Sequence, residues 1–420
     1  MILDSSDPHA GVSHRGPLAP DLPSLEAALL AFVAWLRRTG YDSYDQYDLW
    51  ATAYGIRARR LYYRWGRPAT PLVLPLALID WLVPASRRWF CPRRRYPIAD
   101  AHYLMGFVAL HQALGNGTYL AAAAQLADSL MASSIPGFSG PCWGYPFDWQ
   151  ARDGLCRRDT PLITTTPYVF DAFLDLYRVT GQERYLESAR AIAGFVAHDI
   201  PDTPAGRGSA AGYTPFDHSK VINASAYRAA CLAQASRLFG EARYRQIARR
   251  NALFVVDQQR ADGSWPYAAD DPRQAFVDHM HTCFVLKGLY RTYQVLRDDE
   301  ILEAVKRGYR YYRQDLFYPG GLPRPFAFAR TETSQFRMAE LYDYAEALNL
   351  ALLLQPDLRT AALADRLAFK LLAEWQTPAG YFVTRISRGE VRNCVPYHRW
   401  AQAQTFRSLA LYYLRARMGR

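Results

Sequence analysis

Thr180-Gly181-Gln182-Glu183-Arg184-Tyr185-Leu186 packs a helix stop, a turn and a helix start into one short stretch. Gly after an apolar periodic run supplies the left-handed residue that closes a helix, and an acidic residue opens the next. Related stretches stand at Gly115-Asn116-Gly117-Thr118-Tyr119-Leu120, Gly240-Glu241-Ala242-Arg243-Tyr244 and Asp298-Asp299-Glu300-Ile301-Leu302. The markers Tyr119, Tyr185, Tyr244 and Ile301 thus recur at a nearly constant interval, a period of roughly 60 residues. Another turn is expected near Gln355-Pro356-Asp357. Self-similarity at a fixed period means copies of one supersecondary unit, here a helical hairpin, that must stack or close into a ring to bury their apolar sides.

Working outward, hairpins are expected over 97–134, 162–199, 218–258, 274–315 and 336–375. A final helix over 398–417 pairs with one over 24–38 to close a sixth unit. The fold class is therefore all-α, an α/α toroid of about six hairpins. Residues 1–22, rich in Pro, Gly, Ser and His, read as a loose arm, and 23–420 as one domain. Between hairpins lie aromatic connections: Cys142–Trp149, Gly263–Tyr267, Gly320–Phe326 and Gly380–Phe382. Trp265, Pro323 and Tyr381 fall at equal steps along the chain. That gathers these loops on one rim, where binding groups usually sit. The chain carries 29 Tyr, 20 Phe and 10 Trp, more rings than helix packing needs. Such faces stack on sugars or line hydrocarbon pockets.

Net charge is +11, carried by Arg; only Lys220, Lys287, Lys306 and Lys370 are lysines. A GC-rich genome produces that bias without function. Read functionally, it points to an acidic glycan, a nucleotide-sugar or diphosphate, or a membrane surface, and not to nucleic acid, because no nucleic-acid motif accompanies it. Residues 57–95 form a basic and apolar insertion: Arg57, Arg59, Arg60, Arg64 and Arg67 precede Leu72–Val83, and Arg87, Arg88, Arg93, Arg94 and Arg95 follow it beside Trp81, Trp89 and Phe90. That composition suits peripheral contact with a bilayer interface or a segment packed on the body with charged ends. Just before it, Tyr41-Asp42, Tyr44-Asp45 and Tyr47-Asp48 repeat every third residue. The six Cys show no paired spacing, and there is no metal-ligand cluster or phosphate loop. No cofactor or metal is therefore expected. Met1–Asp7 is acidic and polar, where a signal peptide is basic and then apolar, which leads us to expect a cytoplasmic location, free or membrane-associated.

Phe254-Val255, Gln259 and Gly263-Ser264-Trp265 resemble the Gln-Trp motif of squalene-cyclase-like α/α toroids. The resemblance implies that the Gln caps a helix end, stacks on the Trp and ties one hairpin to the next. The Asp-x-Asp-Asp motif of those cyclases is missing. A closer resemblance covers residues 40–410: Gly40-Tyr41-Asp42-x-Tyr44-Asp45, Trp143-Gly144-Tyr145-x-Phe147-Asp148-Trp149-Gln150, Thr160–Thr166, Asp278-x-x-His281-Thr282-x-Phe284-Val285-Leu286-x-Gly288-Leu289 and Arg399-Trp400-x-Gln402. These are similar to toroid proteins encoded in bacterial exopolysaccharide clusters and, more distantly, to six-hairpin sugar epimerases and uronic-acid-acting hydrolases. The chain departs from that pattern at Cys283, where Gly is expected, and over Met338–Asn349.

Asp278 and His281 share a face at i and i+3 at a helix start, an arrangement suited to acid-base work or to simple capping. Asp148, among Trp143, Tyr145, Phe147 and Trp149, reads as a proton donor, a ligand for sugar hydroxyls or a turn cap. These three are the catalytic candidates. Glu340, Asp343 and Glu346 lie three apart on one helix, either a solvated stripe or an inner wall. Arg399 and Trp400 suit a carboxylate or phosphate beside a stacked ring, and Tyr213 and Asn223 hold corresponding places earlier; all four read equally well as structural residues. With Trp143, Tyr145, Trp149, Trp265, Tyr267, Asp343 and Glu346 they form the substrate-binding set; His102 and Asp100 are weaker candidates. The expected function is proton-transfer chemistry on a sugar or uronic-acid-containing glycan, epimerisation or glycosidic cleavage, with an anionic or lipid-linked carbohydrate as partner. A terpene-cyclase-like or polyprenyl-lipid-binding protein and a non-catalytic glycan-binding scaffold remain open.

Overall fold

A computed structural model describes residues 19–318, 321–324, 337–387 and 391–419. Most of the expected arm, and Gly320, Pro325 and Phe326 of one rim connection, lie outside the described residues. In chain order the helices are α1 (Leu22–Thr39), α2 (Ala53–Trp65), α3 (Thr70–Leu82), α4 (Pro97–Leu114), α5 (Gly117–Ala132), α6 (Thr166–Thr180) and α7 (Glu183–His198). They continue as α8 (Ile222–Phe239), α9 (Ala242–Asp257), α10 (His279–Leu296), α11 (Asp299–Asp315), α12 (Leu341–Leu358), α13 (Ala361–Lys370) and α14 (Ala403–Arg417).

Six of these close a ring: α4 packs on α6, α6 on α8, α8 on α10, α10 on α12, α12 on α14 and α14 back on α4. Outside each lies its hairpin partner, α5, α7, α9, α11, α13 and, for α14, the N-terminal α1. The two chain ends thus build the sixth hairpin. The inner helices are buried nearly all round, as in α4, where every residue from Ile98 to Leu110 is buried. The outer ones bury one stripe, such as Ile301, Ala304, Val305, Gly308, Tyr311 and Tyr312 on α11, at helical spacing. The chain is an α/α toroid.

Short turns join inner to outer helices on one rim, and long connections return on the other, the mouth. Gly115, Gly181 and Gly240 close their inner helices in the left-handed region, the conformation a glycine adopts without a steric penalty. The fifth turn is not at Gln355–Asp357: α12 runs on to Leu358 and turns at Arg359, with Pro356 inside its last turn. Proline has no N–H for the carbonyl four residues back. That carbonyl, on Leu352, accepts instead from Nη1 of Arg415.

At the mouth one backbone turn recurs three times. Arg260 N donates to Ser264 O (2.9 Å) and Gly263 N to Arg260 O (2.9 Å); Tyr318, Leu322 and Gly321 repeat it, as do Thr377, Tyr381 and Gly380. Gly263 and Gly380 have φ of +93° and +101°, and a Cβ on either would collide with a carbonyl of the next outer helix, of Arg307 or Ala31. Gln259 Nε2 donates to Gly263 O (3.0 Å) and to Ala304 O on α11 (2.9 Å). Gln376 Nε2 does the same with Gly380 O (3.0 Å) and Ala28 O on α1 (2.8 Å). Each glutamine ties one hairpin to the next, and the second copy lacks the Trp that marks the first. The turn register pairs Trp265 and Pro323 with Phe382, not Tyr381. A π-helical turn at Leu371–Trp375 takes up one extra residue there, as such bulges do within a helix.

His279, at the start of α10, is fully buried; its Nδ1 lies 3.1 Å from Leu316 O and its Nε2 2.8 Å from the Tyr312 hydroxyl. Burial pushes its pKa down to about 4. Between about pH 6.5 and 4 the unfolded chain binds a proton there and the folded chain does not, so His279 makes stability fall as pH falls. The unfolding free energy of wild type minus that of His279→Gln should therefore shrink by about 1.4 kcal/mol per pH unit across that window. Urea titrations at pH 7, 6 and 5 measure it; a constant difference refutes a neutral buried ring.

Candidate active site

The mouth is built by residues from distant segments. Trp400 is its centre, in a kink before α14 with φ 69° and ψ −61°. That is a strained γ-turn conformation for an aromatic residue. Its ring stacks on Tyr342 from α12 (5.6 Å, 19°) and meets Tyr47 edge-on (5.6 Å). Tyr47 also stacks on Trp149 (6.4 Å), and Tyr145 lies 6.4 Å from Trp149 and 6.5 Å from Trp400. Across the mouth, Tyr267 stacks on Phe276 (5.0 Å) and meets His281 (4.7 Å), which in turn meets Phe284 (5.6 Å). Phe284 reaches Tyr342 at 6.2 Å, so the two aromatic groups are continuous. The Tyr213 phenol neighbours those of Tyr145 and Tyr267, and its hydroxyl receives a bond from Thr164 (3.2 Å). Burial raises all three phenols, Tyr145 to about 12, so each is a neutral donor near pH 7.

Within this mouth Asp278 does two things. One oxygen caps α10 by accepting from His281 N (2.8 Å), and the other lies 2.6 Å from His281 Nδ1. The first contact satisfies one of the orphan donors of a helix start. The second, a carboxylate on Nδ1, places the proton there and leaves Nε2 basic. Among the described residues Nε2 of His281 has no hydrogen-bond partner, and the ring is partly exposed. A gap of about 10 Å³ lies between Asn223, Trp265, Pro266, Tyr267 and His281, room for about one water. Asn223 Oδ1 is buried there without a partner. The structure thus brings together Asp278, His281, Asn223, Trp265, Tyr267, Tyr213, Tyr145, Trp149 and Trp400.

Other expected residues stand elsewhere. Trp143 is fully buried, its Nε1 donating to Leu130 O (2.8 Å); Trp265 Nε1 donates likewise to Val255 O (2.8 Å). Both indoles plug the last turn of an outer helix, so Trp143 is a packing residue, whereas Trp265, also buried, borders the gap. Arg399 is fully buried and held bidentate by Asp45 (2.6 and 2.5 Å) under the Trp400 ring, so that edge of the guanidinium is not open to a ligand. Asp148 accepts from Arg158 N (2.7 Å) and closes the hairpin of β1 (Trp149–Gln150) and β2 (Leu155–Cys156). Glu340 pairs with Arg385 (2.9 Å), and Asp343 is buried below the mouth, where its charge reaches Cys283 and Tyr344. Glu340, Asp343 and Glu346 are thus no solvated stripe. Cys283, in place of the expected Gly, points its thiol at the Tyr312 hydroxyl (3.4 Å).

Of the floor, sequence reasoning named only Glu346 and His102 as candidates and missed that they belong to one ring. His102, Tyr168, Tyr227, Lys287, Glu346 and Gln404, one residue from each inner helix, stand one repeat apart along the chain. Tyr168 and Tyr227 join hydroxyls (2.8 Å), Lys287 approaches Tyr168 (3.5 Å) and ion-pairs with Glu346, and Gln404 donates to Glu346 (2.8 Å). Arg407 Nη1 contacts His102 Nδ1 (3.4 Å), and its guanidinium lies over the Tyr168 ring (5.8 Å). Burial, with Arg407 and Lys287 nearby, holds the His102 pKa well below its usual value. Asp100, beside Arg95 (2.6 Å), is pushed up to about 7 by burial. Two signals were available: Lys287 is a rare lysine in an arginine chain, and the six positions follow the repeat.

The insertion packs on the mouth rim through buried ion pairs. Arg87 holds Asp48 (2.7 Å) and Asp80; Asp80 holds Arg385 (3.1 Å), which holds Glu340. Asp45 and Asp48 of the Tyr-Asp repeat are both buried in ion pairs, with Arg399 and Arg87. The rest of the segment is bare: nine of the seventeen exposed large apolar side chains among the described residues fall within 54–90. Leu74, Leu78 and Leu82 form one stripe of α3, with Trp65, Val83, Trp89 and Phe90 beyond its ends. No helix among the described residues is long and apolar enough to cross a membrane.

No family model and no curated protein matches the sequence. Solved structures do. An unsaturated glucuronyl hydrolase from Bacillus sp. GL1, responsible for degradation of glycosaminoglycan, superposes with a TM-score of 0.61 at 13% identity, covering 95% of this chain and 97% of that one. Cellobiose 2-epimerase from Bacillus thermoamylovorans gives 0.57 at 10% identity over 76% and 88%. A family 76 α-mannanase of Bacteroides thetaiotaomicron gives 0.57 at 11% identity over 77% and 88%. The chain shares the α/α-toroid fold of these carbohydrate-active enzymes.

Proposed function

We propose that the protein is an enzyme acting on a sugar or uronic-acid-containing glycan by proton transfer at His281. The observation that carries this is the dyad: Asp278 fixes Nδ1 while Nε2 remains without a partner in an aromatic mouth. Of the two expected reactions, epimerisation fits better than glycosidic cleavage. Cleavage ordinarily takes two available carboxylates, and here Asp278 is committed to His281, Asp148 to a backbone N–H, Asp45 to Arg399 and Glu346 to Lys287. Epimerisation asks for a base beside a carbon next to a carbonyl. Nε2 takes that carbon's proton, the C–H electrons move into the C–C bond, and the carbonyl oxygen becomes an enolate that neutral phenols such as Tyr267 or Tyr213 stabilise by donation. Protonation of that carbon on its other face by water inverts it, and the proton that His281 took is released to neutralise the hydroxide left behind. The fold shared with epimerases and glycan hydrolases supports the substrate class.

The test is proton NMR in deuterated buffer with cellobiose, other reducing disaccharides and uronic oligosaccharides. Deuterium at the carbon beside the carbonyl, lost in His281→Ala, is the expected result. Release of reducing ends without exchange favours cleavage. Glycan binding with neither reaction favours the scaffold reading, and stabilisation by polyprenyl phosphates alone the lipid reading.

Residues 54–90 support a finer assignment, peripheral membrane contact and a lipid-linked glycan. Exposed Arg57, Arg60, Arg64, Arg67 and Arg88 flank the exposed Leu74–Leu78–Leu82 stripe, and the only acid between residues 49 and 99 is Asp80, which is engaged with Arg87 and Arg385. A basic face beside bare apolar side chains is the makeup of a segment that lies in a bilayer interface. A place in exopolysaccharide assembly rests on the motif resemblance; glycosyltransferase genes beside this one would support it.

A further inference from the structure

Behind the polar floor, on the side away from the mouth, the ring holds a cavity of about 350 Å³. That size is typical of small-ligand sites. Five of the six inner helices line it. Its inner end is aromatic, formed by Tyr168, Tyr227 and Phe284, with phenol hydroxyls within reach; its outer part is cationic.

The charges do not balance. Lys287 is matched by Glu346, Arg291 by Asp171 in a bidentate pair (2.6 and 2.5 Å), and Arg178 by Asp175 (2.8 Å). Arg407 and Arg415 also line the cavity and, among the described residues, form no ion pair, although the Asp175 charge reaches Arg407. Arg407 touches neutral His102 and the Tyr168 face, and its buried Nε has no acceptor. Among the described residues Arg415 donates only to the Leu352 carbonyl and to Gln355 Oε1 (3.4 Å), and burial lowers its pKa. Arg178, Arg291 and Arg415 are each the thirteenth residue of their helix, counted from Thr166, His279 and Ala403. α6, α10 and α14 alternate around the ring, so three guanidiniums surround its axis at one level. The negative ends of the inner helices favour cations here, but two guanidiniums still lack an anion beside a hydroxyl-rich aromatic wall.

We infer that this rear cavity is a second binding site, divided from the mouth by the floor and sharing with it only the Phe284 ring, for a compact hydroxylated ligand bearing one phosphate or carboxylate group. Arg407 and Arg415 take the anion, charge-assisted and with fork geometry. Tyr168, Tyr227 and Phe284 receive the body of the ligand. The site goes beyond the function assigned to the mouth and does not depend on it.

Calorimetric titration of the full chain at low salt tests this, with glucose 1-phosphate, glucuronate and glucose as probes. Glucose 1-phosphate, glucuronate or both should bind and glucose should not; the stronger of the two identifies the anion. The double variant Arg407→Gln/Arg415→Gln should weaken binding about tenfold or more. Asn349→Asp, which adds a carboxylate to the same wall and removes no guanidinium, should weaken it too and serves if the double variant fails to fold. His281→Ala should leave binding unchanged. Absence of binding by both anionic probes at millimolar concentration overturns the site. So does undiminished binding by the folded variants, or loss of binding in His281→Ala, which would place the anion in the mouth.

Discussion

If His281 is the base proposed above, its replacement by Ala should lower turnover on a sugar substrate by roughly 10²–10⁴-fold, the usual contribution of a positioned general acid or base, with thermal unfolding near wild type. The fold tolerates the change because the ring makes one polar contact, to Asp278, and is partly exposed. Asp278 separates chemistry from structure. Asp278→Ala removes both the cap on α10 and the Nδ1 partner, costing about 1 kcal/mol of stability as well as activity. Asp278→Asn keeps a side-chain oxygen for His281 N and takes away the negative charge that steadies the imidazole once it is protonated. If the dyad works as assigned, Asp278→Asn unfolds at the wild-type temperature and still loses most of the turnover. Full activity in Asp278→Asn would reduce Asp278 to a helix cap and remove the basis for Nε2 as the base.

The hairpins were legible because a ring of repeats writes its period into the chain. Positions one period apart stand on neighbouring inner helices at one height, as Tyr168 and Tyr227 show with their shared hydrogen bond. Closure by α1 and α14 was legible for the same reason. The second glutamine staple was hidden because Gln376 lacks the following Trp, and a π-turn shifts its register by one. Arg399 could not be read correctly from its neighbours. An Arg-Trp pair looks the same whether it faces a ligand or a carboxylate, and the carboxylate is Asp45, near the other end of the chain. Trp143 and Trp149 share one aromatic loop; only coordinates reveal that the first plugs a helix end and the second lines the mouth.

The other large effect concerns the bilayer. The protein is expected to bind vesicles rich in anionic lipid and to bind zwitterionic ones weakly. Reversing Arg57, Arg60, Arg64 and Arg67 to Glu should weaken binding by roughly 10²-fold or more, since each basic residue near such a surface contributes about 1 kcal/mol. These four are the right choice because all are exposed and none has a carboxylate partner among the described residues. Arg87 is the wrong choice: it is fully buried between Asp48 and Asp80, and its loss would detach the segment from the toroid. Leu74→Ser/Leu78→Ser/Leu82→Ser tests the apolar component, which salt does not screen. Raising ionic strength should therefore mimic the arginine variant and leave the difference made by the leucine variant in place. Flotation with vesicles at two salt concentrations reads both effects. Failure of the wild-type protein to float with anionic vesicles at low salt would leave the bare stripe on α3 without a bilayer to meet, and with it the case for a lipid-linked substrate at a mouth whose rim this segment forms.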